Sequence, residues 1–439
     1  MKEPPGGLTT ESPPARRVSP KALAAAAAAM LGGTILAVVL LNLPRGEIAA
    51  ASGMASPSVS IAASPSVTAS AEPSASPTAT PQPAPTPTPA GAAPMDWTAG
   101  TPPDGEVNDI VWFMDRWVAA GSIVEAANRP RAATWTSDDG MTWQPGPAIG
   151  PDPVPGPEGT SYFIRDVLVL DHELIAFGWN HIGCCDGGKA ALWRSTDGVT
   201  WTFVDTTGTD YDAYHGPVDS AVAPTGELVL VSGIGIGTGS TVFTSDDGVT
   251  WVAQPVGWDG FLVGGVAASD TILLALGHGG FATGPVPTIW TSADGHSWSA
   301  ANAPPESRQL EDVSWDEASG RFVVVGTSAD GLPTIWLTED GTSWGTTTLA
   351  AEEGRVASIG AADGLIVASG VIGASPDEEL IAWSSFDGVT WQVQPLATTA
   401  GGYPIVETAA GEAILYVSTL GPEPDYEPIA RVWAGTVAR

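Results

Sequence analysis

From residue 95 onward the apolar positions come in short β-branched runs broken by turn residues. FIRDVLVL (Phe163–Leu170) is followed by ELIAFGW (Glu173–Trp179), and LEDVSW (Leu310–Trp315) by RFVVVG (Arg321–Gly326). Runs of this length bounded by Gly, Asp and Ser predict strands. A seven-residue segment punctuates them six times: SDDGMTW from Ser137, STDGVTW from Ser195, SDDGVTW from Ser245, SADGHSW from Ser292, TEDGTSW from Thr338 and SFDGVTW from Ser385. Its glycines, Gly140, Gly198, Gly248, Gly295, Gly341 and Gly388, are spaced 58, 50, 47, 46 and 47 residues apart. Two runs between boxes and one strand on each side of a box make four strands per unit. A period in the forties with that content predicts the blades of a β-propeller.

Each letter of the box has a mechanical reading. A short Asp or Ser side chain accepts hydrogen bonds from turn amides, and Gly takes the positive φ that other residues resist. The aspartates Asp139, Asp197, Asp247, Asp294, Asp340 and Asp387 are therefore read as structural turn locks. Aromatic residues lie four positions to either side: Trp135 and Trp143, Trp193 and Trp201, Phe243 and Trp251, Trp290 and Trp298, Trp336 and Trp344, Trp383 and Trp391. With Asp at the hairpin centre, these are expected to face one another as cross-strand pairs.

The six boxes resemble the Asp-box, or BNR, repeat of sialidase-like propellers over residues 95–439, although each box is one residue shorter than the commoner form. The resemblance implies that the boxes lie on the face opposite the usual binding face. That binding face is built from loops joining second and third strands and loops passing between blades.

Six boxes do not limit the ring to six blades. PIVETAAGEAILYVSTLG and IARVWAG repeat the first three strands after the sixth box, with Trp433 fifty residues past Trp383. MDWTAGT (Met95–Thr101) resembles the strand that follows a box, with Trp97 in the place of Trp201. The expected fold is all-β, a seven-bladed propeller whose last blade is completed by Met95–Thr101, removing both free edges.

The N-terminal 94 residues have a different pattern. Arg16, Arg17 and Lys21 precede an uncharged stretch from Ala22 to Pro44, long enough to cross a bilayer. The expected plan is a cytoplasmic tail (1–21), a transmembrane signal anchor (22–44), a disordered Pro/Ser/Thr/Ala-rich linker (45–94) and an extracytoplasmic propeller (95–439) on a single-pass membrane protein. A cleaved signal peptide, with small residues after Ile48 as its cleavage site, is the competing reading. The linker lacks aromatics and its prolines favour extended geometry, so it reads as a semi-rigid stalk.

Charge narrows the partners. Residues 95–439 carry 45 acidic against 11 basic side chains, and the whole chain has a formal charge of -33. Such a field repels nucleic acid and favours cations and basic partners. Nucleic-acid binding is excluded, and a monomer is expected.

The longest loops, Gly146–Tyr162, Asn180–Lys189 and Asp205–Pro217, surround blades one to three. Ligand-binding candidates there and on neighbouring loops are Arg129, Arg131, His181, Asp186, Asp210, Tyr211, Asp212, Tyr214, His215 and His278. Cys184 and Cys185, the two cysteines of the chain, are a candidate vicinal disulfide. A bound cation drawing on these carboxylates and imidazoles is one reading, but no metal-ligand spacing supports it; no other cofactor is expected. Asp109, Asp166 and Asp312 stand at matched positions on the predicted innermost strands, where like charges raise pKa values or attract a cation.

The arginine triad and FRIP-like motif of the sialidases are missing, and 45 acids single out no catalytic pair. No catalytic residue is assigned. The expectation is a non-catalytic binding module for a protein or glycan ligand in the cell envelope. The alternative is a sialidase-like glycoside hydrolase or a related carbohydrate-active enzyme.

Overall fold

The computed structural model describes residues 91–439, apart from 126–128, 148, 151–159, 183–186, 213–215, 234–239, 259–260, 280–285, 375–376, 400–401, 421–427 and 439. The expected tail, anchor and most of the linker lie outside the described residues. Among the described residues no helix is long and apolar enough to cross a membrane.

The chain builds seven four-stranded antiparallel sheets. Blade one comprises Glu106–Phe113, Arg116–Glu125, Arg129–Ser137 and Gln144–Pro145. The inner strands of blades two to seven are Thr160–Val169, Gly216–Val222, Phe261–Ala268, Ser307–Asp316, Gly354–Ala362 and Tyr403–Ala409. The all-β seven-bladed propeller is the architecture read from the repeat.

The core is seven separate layers, each between neighbouring blades. Val118 and Ala120 of blade one meet Ile164, Leu174 and Trp193 of blade two. Phe177 and Leu192 of blade two meet Leu230, Phe243 and Trp251 of blade three. A sheet buried on both faces explains second strands such as LVLVSG, which run apolar without alternation. The third-strand aromatics Trp135, Trp193, Phe243, Trp336 and Trp383 are at most 1% exposed and anchor these layers.

Six inner strands carry a β-bulge at the same place, leaving Asn108, Arg165, Val218, Gly264, Glu311 and Ala357 unpaired. A bulge pushes backbone against the second strand, and a glycine there makes room. At Gly121 a Cβ would lie 1.9 Å from the Glu106 carbonyl oxygen, and at Gly178 1.8 Å from that of Phe163.

The boxes are turn locks, but the expected aromatic pairing is corrected. Trp135 faces Pro145, Trp193 faces Phe203, Phe243 faces Ala253, Trp290 faces Ala300, Trp336 faces Thr346 and Trp383 faces Val393. The hairpins centre on the glycine, one residue beyond the aspartate, because Asp caps the amides that follow it. Asp197 Oδ1 accepts from Val199 N–H at 2.8 Å and Thr200 N–H at 2.6 Å. Ser195 Oγ donates to the same carboxylate at 3.1 Å and accepts from Gly198 N–H at 2.9 Å. The box tryptophan therefore precedes the last strand and folds back over the turn. Trp143, Trp298 and Trp391 donate their indole N–H to Gly140, Gly295 and Gly388 carbonyls.

Met95–Ala99 pairs with the third strand of blade seven, from Met95↔Val437 to Ala99↔Trp433. Trp97 lies opposite Gly435, where a Cβ would come within 2.8 Å of its ring. Upstream, Ala92 bridges Ser385 of blade six, and Ser384 Oγ donates to the Ala93 carbonyl at 2.5 Å. Tyr416 of blade seven donates its hydroxyl to the Gly105 carbonyl of blade one at 3.3 Å.

Deleting residues 95–101 is expected to expose the Pro428–Val437 edge and lower the melting temperature by about 5–10 °C. Calorimetry of the deletion variant checks this, and an unchanged transition would remove the segment from the fold's stability.

Candidate functional site

The inner strands begin at the end of the propeller opposite the boxes, and their side chains line its axis. Just after each bulge stands a position that the sequence singled out three times. Asp109 Oδ1 accepts from its own Ile110 N–H at 2.8 Å, and Oδ2 from Val167 N–H of blade two at 2.7 Å. Asp219 does the same with Ser220 and with Val266 of blade four, at 2.8 and 2.7 Å. Asp312 repeats it with Val313 and with Ile359 of blade six, at 2.7 and 3.0 Å. Asp166 accepts from Ser220 Oγ of blade three at 2.5 Å. In blade six Ser358 Oγ takes the role, accepting from Val406 N–H at 3.2 Å. These aspartates are clasps between blades.

Crowding carboxyls around an axis pushes them toward neutrality. Burial, then the charges of Asp166 and Glu407, hold Asp109 well above the usual carboxylate range. Burial and Asp166 do the same to Asp219. Burial raises Asp166 and Asp312 to about 6 and Glu407 to about 8. Asp219 and Glu407 were not singled out from sequence, although VDS occupies the position of NDI and EDV at the start of the other inner strands. Glu407 stands two residues past the matching position of blade seven, Ile405, which pairs with Tyr416. Among the described residues no group of three or more His, Cys, Asp or Glu side chains is placed to hold a metal ion.

Above this ring, toward the loop end, charges are mixed. Arg165 lies near Glu106 of blade one, whose carboxyl burial raises. Burial pushes Glu311 up to about 7 despite the Arg355 charge beside it. Arg355 lies over the Tyr403 ring, its guanidinium carbon 4.5 Å from the centroid, and its NH2 donates to the Gly402 carbonyl at 2.6 Å. Burial raises the Tyr403 phenol, and the Arg355 charge opposes the rise while Glu311 and Glu378 add to it. Glu311, Arg355, Glu378 and Tyr403 come from blades five, six, six and seven. Arg355 Nε, Tyr403 Oη, Glu311 Oε1 and Glu378 Oε2 are enclosed with no hydrogen-bond partner. Sequence reading missed this cluster because it followed loop length. The available signal was that Arg355 and Tyr403 open inner strands, at the mouth of the ring.

The residues expected on loops fare differently. Tyr211 is fully buried between blades two and three against Phe177, Phe243 and Trp251, so it is not presented to a ligand. Asp210 accepts from Ala253 N–H at 3.0 Å and belongs to the same seam. Arg131 lines a cavity of about 110 Å³ with Trp135 and Pro145. His278 is half-buried, paired between Leu262 and Pro287, and burial pushes its imidazole pKa down. Arg129 and His181 sit in strands opposite Glu125 and Ser161. Their side chains and that of Asp212 are outside the described residues, as are Cys184, Cys185, Asp186, Tyr214 and His215. Beside that loop, Phe163 and Trp179 stack at 5.3 Å, both partly exposed.

No protein-family model and no curated relative matches the chain. Solved structures of low identity are similar to parts of the chain. The phage phi92 endosialidase is 11% identical with a TM-score of 0.47, covering 79% of this chain and 70% of its own. A PL25 ulvan lyase is 11% identical with a TM-score of 0.44, covering 74% and 91%. The fucose-specific lectin of Aleuria aurantia is 10% identical with a TM-score of 0.38, covering 61% and 94%.

The two sets of aspartates fix the pH response. Box carboxylates are held low, Asp247 and Asp340 to about 2 by the Thr250 and Ser343 amides, so they stay ionised through mild acid. Axial carboxyls bind protons in the folded chain that the unfolded chain, with carboxyls near 4, has released. Between about pH 4 and 8 the folded state holds more protons, so stability falls as pH rises. The melting temperature is expected to be several degrees higher at pH 5 than at pH 8, with a smaller difference in Asp219→Asn. An equal or higher value at pH 8 would refute the assignment.

Proposed function

We propose that the chain is a membrane-anchored, extracytoplasmic propeller that binds a glycan or protein of the cell envelope at its loop end without chemically changing it. Residues 22–44 serve as the anchor and the Pro-rich linker as the stalk. The observation that carries this reading is the cluster of Glu311, Arg355, Glu378 and Tyr403, four partly exposed polar side chains that strands of three blades gather at the loop end.

The box end is used differently. Box carboxylates cap their own turns, and the Asp247 and Asp387 carbonyls accept from Arg194 and Arg321 of the preceding blades at 3.1 and 3.0 Å. These bonds hold the scaffold together. The stacked Phe163 and Trp179 add an aromatic surface on the loop end, and His181, Asp186, Asp212, Tyr214 and His215 are proposed to extend it. The acidic field disfavours polyanionic partners.

A glycan-array and envelope-protein binding screen of the full chain tests this. Asp197→Ala is expected to cost about 1–2 kcal/mol of stability through its lost turn bonds while leaving binding intact. Trp179→Ala is expected to weaken binding with little effect on stability. Selective loss of binding in Asp197→Ala would move the ligand to the box end. Release of reducing sugar from a bound glycan would favour the hydrolase alternative.

A further inference from the structure

A cleft of about 520 Å³ opens at the box end, between blade five and the box of blade six. That is the size of a small-molecule pocket. Blade five departs from the repeat there. In the other five boxes the residue before the box is Thr, Arg or Ser and the residue after it is Gln, Thr, Val or Ser, and the two pair across the hairpin. In blade five the pair is Leu337 and Gly345. The missing side chain at Gly345 leaves the space open, and Leu337, packed beneath Gly388, gives it an apolar floor. Val389, 55% exposed, stands at its edge.

The charges depart from the repeat as well. In blade two Arg194 pairs with Glu173 and donates to the Asp247 carbonyl of the next box. In blade five the guanidinium comes from the position of Glu173: Arg321 precedes the partner of Thr338 as Glu173 precedes the partner of Ser195. Its Nη2 donates to the Asp387 carbonyl of the next box at 3.0 Å, but among the described residues it forms no ion pair. Arg321 is partly exposed, Glu339 is exposed, and both line the cleft.

We propose that this cleft binds a small zwitterion, an apolar amino acid or dipeptide, with its carboxylate on Arg321, its ammonium on Glu339 and its side chain over Leu337 and Val389. The carboxylate restores at Arg321 the pairing that Glu173 supplies to Arg194, in the forked geometry a guanidinium favours. A plain carboxylate leaves Glu339 unmatched and enters against the field of 45 acids and 11 bases, whereas a zwitterion carries no net charge. An amine alone meets Glu339 but faces the charge of Arg321. A neutral sugar answers neither charge. The site lies at the opposite end from the proposed loop-end ligand surface and does not depend on it.

The test is titration calorimetry of the full chain, in a detergent without a sugar headgroup. The probes are leucine, alanyl-leucine and leucyl-alanine, with leucinamide, N-acetylleucine and methyl glucoside as counterparts. At least one zwitterion is expected to bind, with every counterpart at least tenfold weaker. Gly345→Gln installs the residue that follows the box in blades one and six. The backbone of Gly345 is outside the left-handed region, and a Cβ there lies 3.9 Å from that of Leu337, so glutamine fills the cleft without strain. This variant is expected to lower affinity at least tenfold with the melting temperature unchanged. Arg321→Gln and Glu339→Gln are each expected to lower it about tenfold. No binding by any zwitterion, undiminished affinity in any of the three variants, or a counterpart that binds as tightly as the best zwitterion would overturn the site. A loop-end ligand found by screening is expected to bind Gly345→Gln as it binds the unaltered chain, which separates the two surfaces.

Discussion

Seven inner strands converge on one axis, and the inner edge of each presents backbone amides with no further strand to pair with. Side chains of the preceding blade stand in for the missing strand: Asp109 for Val167, Asp219 for Val266, Asp312 for Ile359 and Ser358 for Val406. Each clasp also binds its blade to the next, so one interaction satisfies the edge and sets the stagger between sheets. The bulge before each clasp turns the strand so that the side chain reaches across, and Gly121, Gly178 and their counterparts leave room for the displaced backbone. Blade four, with Gly265 at this position, supplies no carboxylate.

One residue type thus does two opposed jobs in this chain. A box aspartate sits in solvent under several amides, which favour its ionised form. An axial aspartate also accepts from amides, but it is densely surrounded and shares the axis with four like groups, and that cost exceeds what the amides return. The ring tolerates the cost because the alternative is a row of unsatisfied inner-edge amides. Neutralising some of the carboxyls by protonation lets the clasps persist without mutual repulsion.

Blade number and strand order were legible because the box is an unmistakable period marker and because IARVWAG has the pattern of a third strand without a box after it. The box mechanics were legible too, since Ser, Asp and Gly each have a local reason to be there. The aromatic register was misjudged by one residue at the turn centre. Letters locate the capping side chain at Asp, whereas the backbone reverses at Gly140, Gly198 and their equivalents. Three of the axial aspartates were found by their matched positions. The Glu311, Arg355, Glu378 and Tyr403 cluster was not, because its members are 92 residues apart from first to last and meet only when three blades are wound into a ring. Tyr211 misled for the converse reason, since a polar, aromatic loop segment can fold back to seal a seam.

The ring also narrows what a catalytic version of this protein would require. Glycoside hydrolysis needs two carboxyls facing a substrate across roughly 5–10 Å. Asp109, Asp219 and Asp312 each have both oxygens held by backbone amides, so using one as an acid or nucleophile would break the joint between two blades. The box carboxylates are held the same way by their turns. Of the acids gathered near the axis, Glu311 and Glu378 keep an uncommitted oxygen, and they share their surroundings with Arg355, which favours the ionised form of Glu311. Burial opposes Arg355 there and raises Glu311 to about 7. Any catalytic pair of carboxyls would have to lie outside the clasps and the boxes. Such a pair would serve hydrolysis only if a substrate placed its glycosidic oxygen between the two.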